Sequence, residues 1–90
     1  MTILVEPTPN PQAKKFTSPK QMFAGNSSYP LHKGETSNYA ILNDLLVIDG
    51  VDNVFGYQYF VTIIKDTHTS WEDLTPKVKN IMTHYGYDQL

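Results

Sequence analysis

"DGVDNVFGYQYFVTIIK", residues 49–65, is where the chain changes period. Val54-Phe55 and Tyr59-Phe60-Val61-Thr62-Ile63-Ile64 are β-branched and aromatic runs, and Gly56-Tyr57-Gln58 between them suits the turn of a hairpin. Side chains alternate across a strand. If Tyr59, Val61 and Ile63 point to one face, Phe60, Thr62 and Ile64 point to the other. Both faces then carry apolar groups, and the rest of the chain must cover at least one.

Two helical stripes flank the hairpin and supply that cover. Ile41, Leu42, Leu45, Leu46 and Ile48 recur at three- and four-residue spacing, with Ser37 or Asn38 able to cap and Gly50 placed to terminate, which predicts a helix from about Asn38 to Ile48. Ser70-Trp71-Glu72-Asp73 has the form of a capping box, and Leu74, Val78, Ile81, Met82 and Tyr85 then form a second stripe ending at Gly86. Pro76 lies inside that stretch. It implies either a kink or a restart with Thr75 as cap and Pro76 at the first helical position.

The N-terminal third is punctuated by proline. Ile3-Leu4-Val5 is a β-prone run that the prolines end, and Ala13-Lys14-Lys15-Phe16-Thr17 resumes as a second strand before Pro19-Lys20 turns the chain again. Met22-Phe23-Ala24 is a candidate third strand, followed by Gly25-Asn26-Ser27-Ser28 as a turn. The fold class that results is α+β with two layers: a mostly antiparallel sheet and two helices on one of its faces, in the order β-β-(β)-α-β-β-α. The opposite sheet face is left open, and an apolar patch there needs a reason.

Ninety residues, 40% hydrophobic and 12% aromatic, suffice for one core, so residues 1–90 are read as a single domain. Met1 at the start and Leu90 just past the second stripe fit a short protein. No run approaches the roughly 18 apolar residues of a membrane span, and Met1-Thr2-Ile3-Leu4-Val5-Glu6 shows no secretory leader, so no membrane partner is expected and the location is read as cytoplasmic. With no cysteine, the chain has no disulfide, no thiolate metal site and no thiol nucleophile. A net charge of −2 without any arginine argues against nucleic acid as partner. That charge is uneven: residues 1–33 carry four lysines against one acid, and residues 34–90 carry three lysines against eight acids.

Catalytic chemistry finds little to stand on. His32, His68 and His84 lie in separate segments without ligand spacing, so no metal site is assigned, and a surface histidine near a helix C-terminus is the plain reading of His84. Glu72-Asp73 and Asp49/Asp52 fall at helix ends, where acids cap and solvate. No phosphate loop or nucleophile elbow is present. The expectation is that the protein is not an enzyme, with no catalytic residues and no cofactor bound by this chain alone.

A binding role has better candidates. In "EPTPNPQAKKF", residues 6–16, three prolines at alternate positions hold Glu6, Thr8 and Asn10 extended, because proline restricts the residue before it. Such a loop loses little entropy on binding, and Lys14-Lys15 follow as local positive charge. The same prolines also make a rigid connection between two strands. Tyr57 and Phe60, at the hairpin tip and on the open face, are the aromatics most apt to lie outside the core. Candidate partner-binding residues are therefore Thr8, Pro9, Asn10, Pro11, Lys14, Lys15, Tyr57 and Phe60. A small-ligand or metal-binding protein, using the lysine-flanked loop or the histidines, is the alternative reading.

Thr8-Pro9-Asn10-Pro11, Lys15-Phe16, Asp49-Gly50-Val51, Val54-Phe55, Phe60-Val61-Thr62-Ile63, Lys65 and the Trp71…Leu74…Pro76 helix come in the order of a known pattern. In these the chain resembles the Nfu/NifU scaffold N-terminal domain family over nearly its whole length. Gly56 departs from that pattern, falling one position early in the hairpin. The resemblance implies an α+β domain that accompanies iron–sulfur cluster assembly and delivery, usually fused to a second domain whose Cys-X-X-Cys pair holds the cluster. These ninety residues contain no such pair. What carries over is a non-enzymatic interaction module, associated with iron and iron–sulfur clusters at the level of the family. Its implied partner is a protein of cluster biogenesis: a carrier, a client or a Cys-X-X-Cys domain protein.

Overall fold

The computed structural model describes residues 3–89; Met1, Thr2 and Leu90, the ends of the span read as one domain, lie outside the described residues. Five strands and two helices follow in the order β1 (Leu4–Pro7), β2 (Ala13–Thr17), β3 (Tyr29–His32), α1 (Ala40–Leu46), β4 (Val51–Tyr57), β5 (Phe60–Lys65) and α2 (Trp71–His84). The strands form one antiparallel sheet in spatial order β1-β2-β5-β4-β3. The fold is thus α+β as expected.

The β4–β5 hairpin sits at the centre because it supplies the most apolar strand surface. Val61 and Ile63 are fully buried while Phe60, Thr62 and Ile64 keep partial exposure, so the alternation read from the sequence holds along β5. The turn lies later than Gly56 would suggest. Tyr57 pairs with Phe60, leaving Gln58 and Tyr59 as the loop, with Gln58 at φ +46°. Tyr59 is therefore a turn residue and 48% exposed, not one of the inward strand positions. Gly56 stays in the strand because the ring of Phe23 occupies the space a side chain would need. In β4 a register shift between Val51 and Asn53 breaks the alternation, which is why Val51 and Val54, three apart, are both buried.

Residues 22–24 are not a strand. Met22 N–H and Phe23 N–H both donate to the Gln58 carbonyl, at 2.7 and 2.9 Å, so the segment is tied across the hairpin tip with Met22 and Phe23 buried. The third strand is Tyr29–His32, where Pro30 confines it to an edge.

Helix α1 is shorter than its stripe. It begins at Ala40 with Tyr39 as N-cap and no side-chain cap bond. Asn43 instead ties the preceding segment to the helix: its Oδ1 accepts from Ser37 N–H at 2.8 Å and its Nδ2 donates to the Ser37 carbonyl at 2.9 Å. Ile48 lies beyond the helix, two residues before Gly50 at φ +99°. Seven residues are too few for a helix to persist in water unaided. Burial of Ile41, Leu42, Leu45 and Leu46 holds it, each such side chain contributing roughly 1.5–3 kcal/mol.

Helix α2 runs unbroken through Pro76. The carbonyl four residues earlier belongs to exposed Glu72 in the first turn, which can tilt toward solvent to make room for the proline ring. Ser70 caps as expected, its hydroxyl accepting from Asp73 N–H at 3.3 Å. At the other end Gly86 N–H donates to the Thr83 carbonyl and Tyr87 N–H to that of Met82, with Gly86 at φ +81°, which closes the helix in a Schellman motif. Leu74, Val78 and Met82 are buried with the α1 residues against Phe16, Val54, Val61 and Ile63. Ile81 is only partly buried at the margin of that core.

Candidate functional site

The proline-rich loop is a closed structure. Thr8 Oγ1 lies 2.9 Å from the Asn10 carbonyl and 3.0 Å from that of Ala13, and accepts from Asn10 N–H at 3.2 Å. Asn10 Oδ1 accepts from Gln12 N–H at 3.0 Å. The loop is also anchored to the rest of the fold: Trp71 Nε1 donates to the Pro11 carbonyl at 3.2 Å and Lys65 Nζ to Gln12 Oε1 at 2.9 Å. The Thr8 hydroxyl and the Asn10 side-chain oxygen are thus engaged by the loop's own main chain. Pro9, Asn10 and Pro11 remain exposed at its tip.

Strand alternation separates the two adjacent lysines. Lys14 shares the helix side with Phe16, and its ammonium lies 5.4 Å from the Trp71 ring centroid, where Lys65 also approaches at 5.9 Å. Lys15 is on the open face, its ammonium 4.4 Å from the ring centroid of Phe60. Phe60 in turn has Tyr57 at 5.9 Å and Phe55 at 6.2 Å between ring centroids. All four side chains are half-exposed. A cation over an aromatic face is worth about 0.5–1 kcal/mol when exposed, enough to hold the ammonium in place without desolvating it.

The eight candidate residues therefore fall into three groups. Thr8, Pro9, Asn10 and Pro11 lie at the end of the sheet where Ala13 pairs with Ile64; Tyr57 and Phe60 lie at the other end, where Phe60 pairs with Thr17. Lys14 is on the helix side. Lys15 is the member that joins Phe60 and Tyr57 in one surface. Phe55 joins that surface and Ile64 lies on the same face, and neither is among the eight candidates. The alternation that marks Phe60 as outward marks Ile64 as well, and cross-strand pairing of Phe55 with Thr62 brings in the other.

Titratable groups elsewhere are engaged locally. Main-chain N–H and ring contacts from His32 hold the Glu35 carboxyl below its ordinary range. The Thr69 hydroxyl and then the His68 N–H do the same for Asp66, whose Oδ1 accepts from the N–H groups of His68 and Thr69 at 2.9 Å each. The Tyr85 hydroxyl, bonded to Asp44, is raised. His32, His68 and His84 stand on β3, in the loop before α2 and at the last residue of α2. Among the described residues no three His, Asp or Glu side chains converge as a metal site would require, and no helix is long and apolar enough to cross a membrane.

Comparison with known proteins places the chain in a family. The chain is 30% identical over 83 residues to conserved virulence factor C of Staphylococcus haemolyticus, covering 92% of this chain and 22% of that protein. It is 32% identical over 79 residues to the mitochondrial NFU1 iron-sulfur cluster scaffold homolog of Drosophila sechellia, covering 87% of this chain and 28% of the relative. The chain thus spans less than a third of the curated relatives it matches. Among solved structures, the crystal structure of protein SAV1430 from Staphylococcus aureus superposes with a TM-score of 0.79 at 30% identity, over 91% of this chain and 99% of that one. Residues 3–89 match the family described as scaffold protein Nfu/NifU N terminal, and the chain belongs to that family.

Proposed function

We propose that this domain is a non-enzymatic protein-docking module in iron–sulfur cluster assembly or delivery. Its docking surface is the open sheet face centred on Phe60, and its partner is a cluster-holding domain of the Cys-X-X-Cys kind. The observation that carries the reading is the Lys15–Phe60 contact, with Tyr57 and Phe55 beside it on the face that no helix covers. Aromatic rings with a fixed cation present large contact area at low entropy cost, which is the composition that dominates binding energy at protein interfaces. Relatedness to an iron-sulfur cluster scaffold homolog supplies the biological context. The domain contributes recognition, because it has no cysteine with which to hold a cluster by thiolate.

Titration of the isotope-labelled domain with a purified Cys-X-X-Cys cluster domain tests this. Amide shifts should map to β2, β4 and β5, and Phe60→Ala should abolish them while the domain stays folded. Shifts confined to α1 or α2, or binding that survives Phe60→Ala unchanged, would refute the assignment.

A further inference from the structure

The two edges of the sheet are not equivalent. Main-chain groups alternate in direction along a strand, so one hydrogen bond fixes which way every residue of that strand points. Ser18 N–H donates to the Tyr59 carbonyl at 2.7 Å, and Lys65 N–H to that of Gln12 at 2.8 Å. Even-numbered residues of β2 therefore address β5, and Lys15 and Thr17 address β1. Their partners are Glu6 and Leu4, which must turn their main chain inward. Val5 and the Pro7 carbonyl are left pointing out of the sheet.

The same bookkeeping on the other side gives a different result. Odd residues of β5 address β2, so Phe60, Thr62 and Ile64 address β4 through Tyr57, Phe55 and Asn53. Val54 and Gly56 then address Leu31 and Tyr29, and Pro30 and His32 point outward. Pro30 has no N–H to offer. His32 N–H donates to Glu35 Oε1 at 2.7 Å and its carbonyl accepts from Glu35 N–H at 3.0 Å. Among the described residues only the Pro30 carbonyl is left open on that edge. Free strand edges invite further strands, and this closure is how a fold prevents it. Edge β1 shares the missing N–H, at Pro7, but not the side-chain closure: among the described residues nothing bonds the outward N–H and C=O of Val5 or the carbonyl of Pro7.

We propose that β1 is a docking edge for an extended segment of a partner protein, which adds as a sixth strand along Leu4–Pro7. Unpaired main-chain donors and acceptors at strand spacing recognise another strand and no other shape. The flanking side chains specify its chemistry. Leu4 is 55% exposed and Glu6 makes no ion pair among the described residues, both beside this edge on the open-face side. An added strand gains cross-strand contacts from an apolar residue next to Leu4 and a lysine or arginine next to Glu6, two positions apart. This inference stands apart from the docking of a cluster domain on Phe60, since it rests on main-chain groups of β1.

The test uses a capped seven-residue peptide alternating valine with lysine or threonine, titrated into the labelled domain. Shifts should concentrate on Leu4, Val5 and Glu6, and exchange of the Val5 amide should slow. The same peptide N-methylated on its edge-facing residues should lose binding, and Glu6→Lys should weaken the unmodified peptide about two- to fivefold. No shifts at millimolar peptide, shifts centred on Tyr29–His32, or equal binding by the N-methylated peptide would overturn the proposal. Unchanged affinity in Glu6→Lys would overturn the requirement for a basic residue. Phe60→Ala leaves this binding intact, which separates its failure from that of the open-face reading.

Discussion

Gly56 faces the ring of Phe23 so closely that a methyl group placed on it would stand 2.5 Å from the Phe23 Cζ. The ring has little room to retreat, because Tyr39 and Tyr29 pack on it at centroid distances of 5.0 and 5.8 Å. Gly56→Ala should therefore destabilise by about 1–3 kcal/mol, the usual cost of overpacking. Phe23→Leu in the same chain should recover part of the loss, and urea denaturation of the single and double variants measures both. An additive pair would mean the contact does not set the cost.

Core and open face should respond differently to truncation. Leu45 is fully buried, so Leu45→Ala should cost about 2–5 kcal/mol. Ile81 sits at the core margin and Phe60 on the open face, so Ile81→Ala and Phe60→Ala should each cost distinctly less. Equal losses for Phe60 and Leu45 in urea denaturation would mean that Phe60 is core and unavailable for docking.

How much of this was legible in the chain depended on where local pattern and tertiary packing agree. Period-two alternation in Phe60–Ile64 and the three-four spacing of Leu74, Val78 and Met82 place strands and helices directly, because burial itself produces those periods. The glycine at 56 misplaced the turn: glycine signals either a turn or a close approach, and only the distant Phe23 decides which. Residues 22–24 misled for a related reason, since Met22 and Phe23 are apolar to plug a gap. Of the candidate site, the outward set on β5 was readable. The division of Lys14 from Lys15 also follows from alternation, but the loop's internal bonding by Thr8 and Asn10 does not, because side-chain to main-chain closure leaves no periodic trace.

Asp66 gives a pH-dependent prediction. The Thr69 hydroxyl, with N–H bonds from His68 and Thr69, favours the carboxylate in the folded protein, so its folded pKa lies below the unfolded value of about 3.9. Its stabilising effect is then fully present above that unfolded value and disappears as pH falls through the lower folded pKa. Carboxyl-carbon NMR titration should show Asp66 titrating to the acid side of about pH 4, with the His68 and Thr69 amides shifting at the same midpoint. Asp66→Asn should remove that amide transition, whereas a midpoint at or above the ordinary aspartate range would contradict the bonding.

Under the proposed docking on the open face, the separation of Lys14 from Lys15 across the sheet decides which charge reaches the partner. Lys15 places its ammonium over Phe60, whereas Lys14 places its own toward Trp71 on the helix side. Lys15→Glu should therefore weaken binding of the cluster domain by about tenfold or more, combining lost cation contact with repulsion of acidic groups on the partner. Lys14→Glu, of the same net charge, should change it much less. Binding to the wild-type domain should also weaken as salt is raised, because exposed charges more than about 8–10 Å apart are screened at physiological ionic strength. Calorimetric titration of both variants across a salt series makes the comparison. Equal effects of the two reversals would mean that only net charge of the basic third is sensed. A stronger effect at Lys14 would move the interface to the Trp71 side of the sheet, beside the exposed tip of the proline loop.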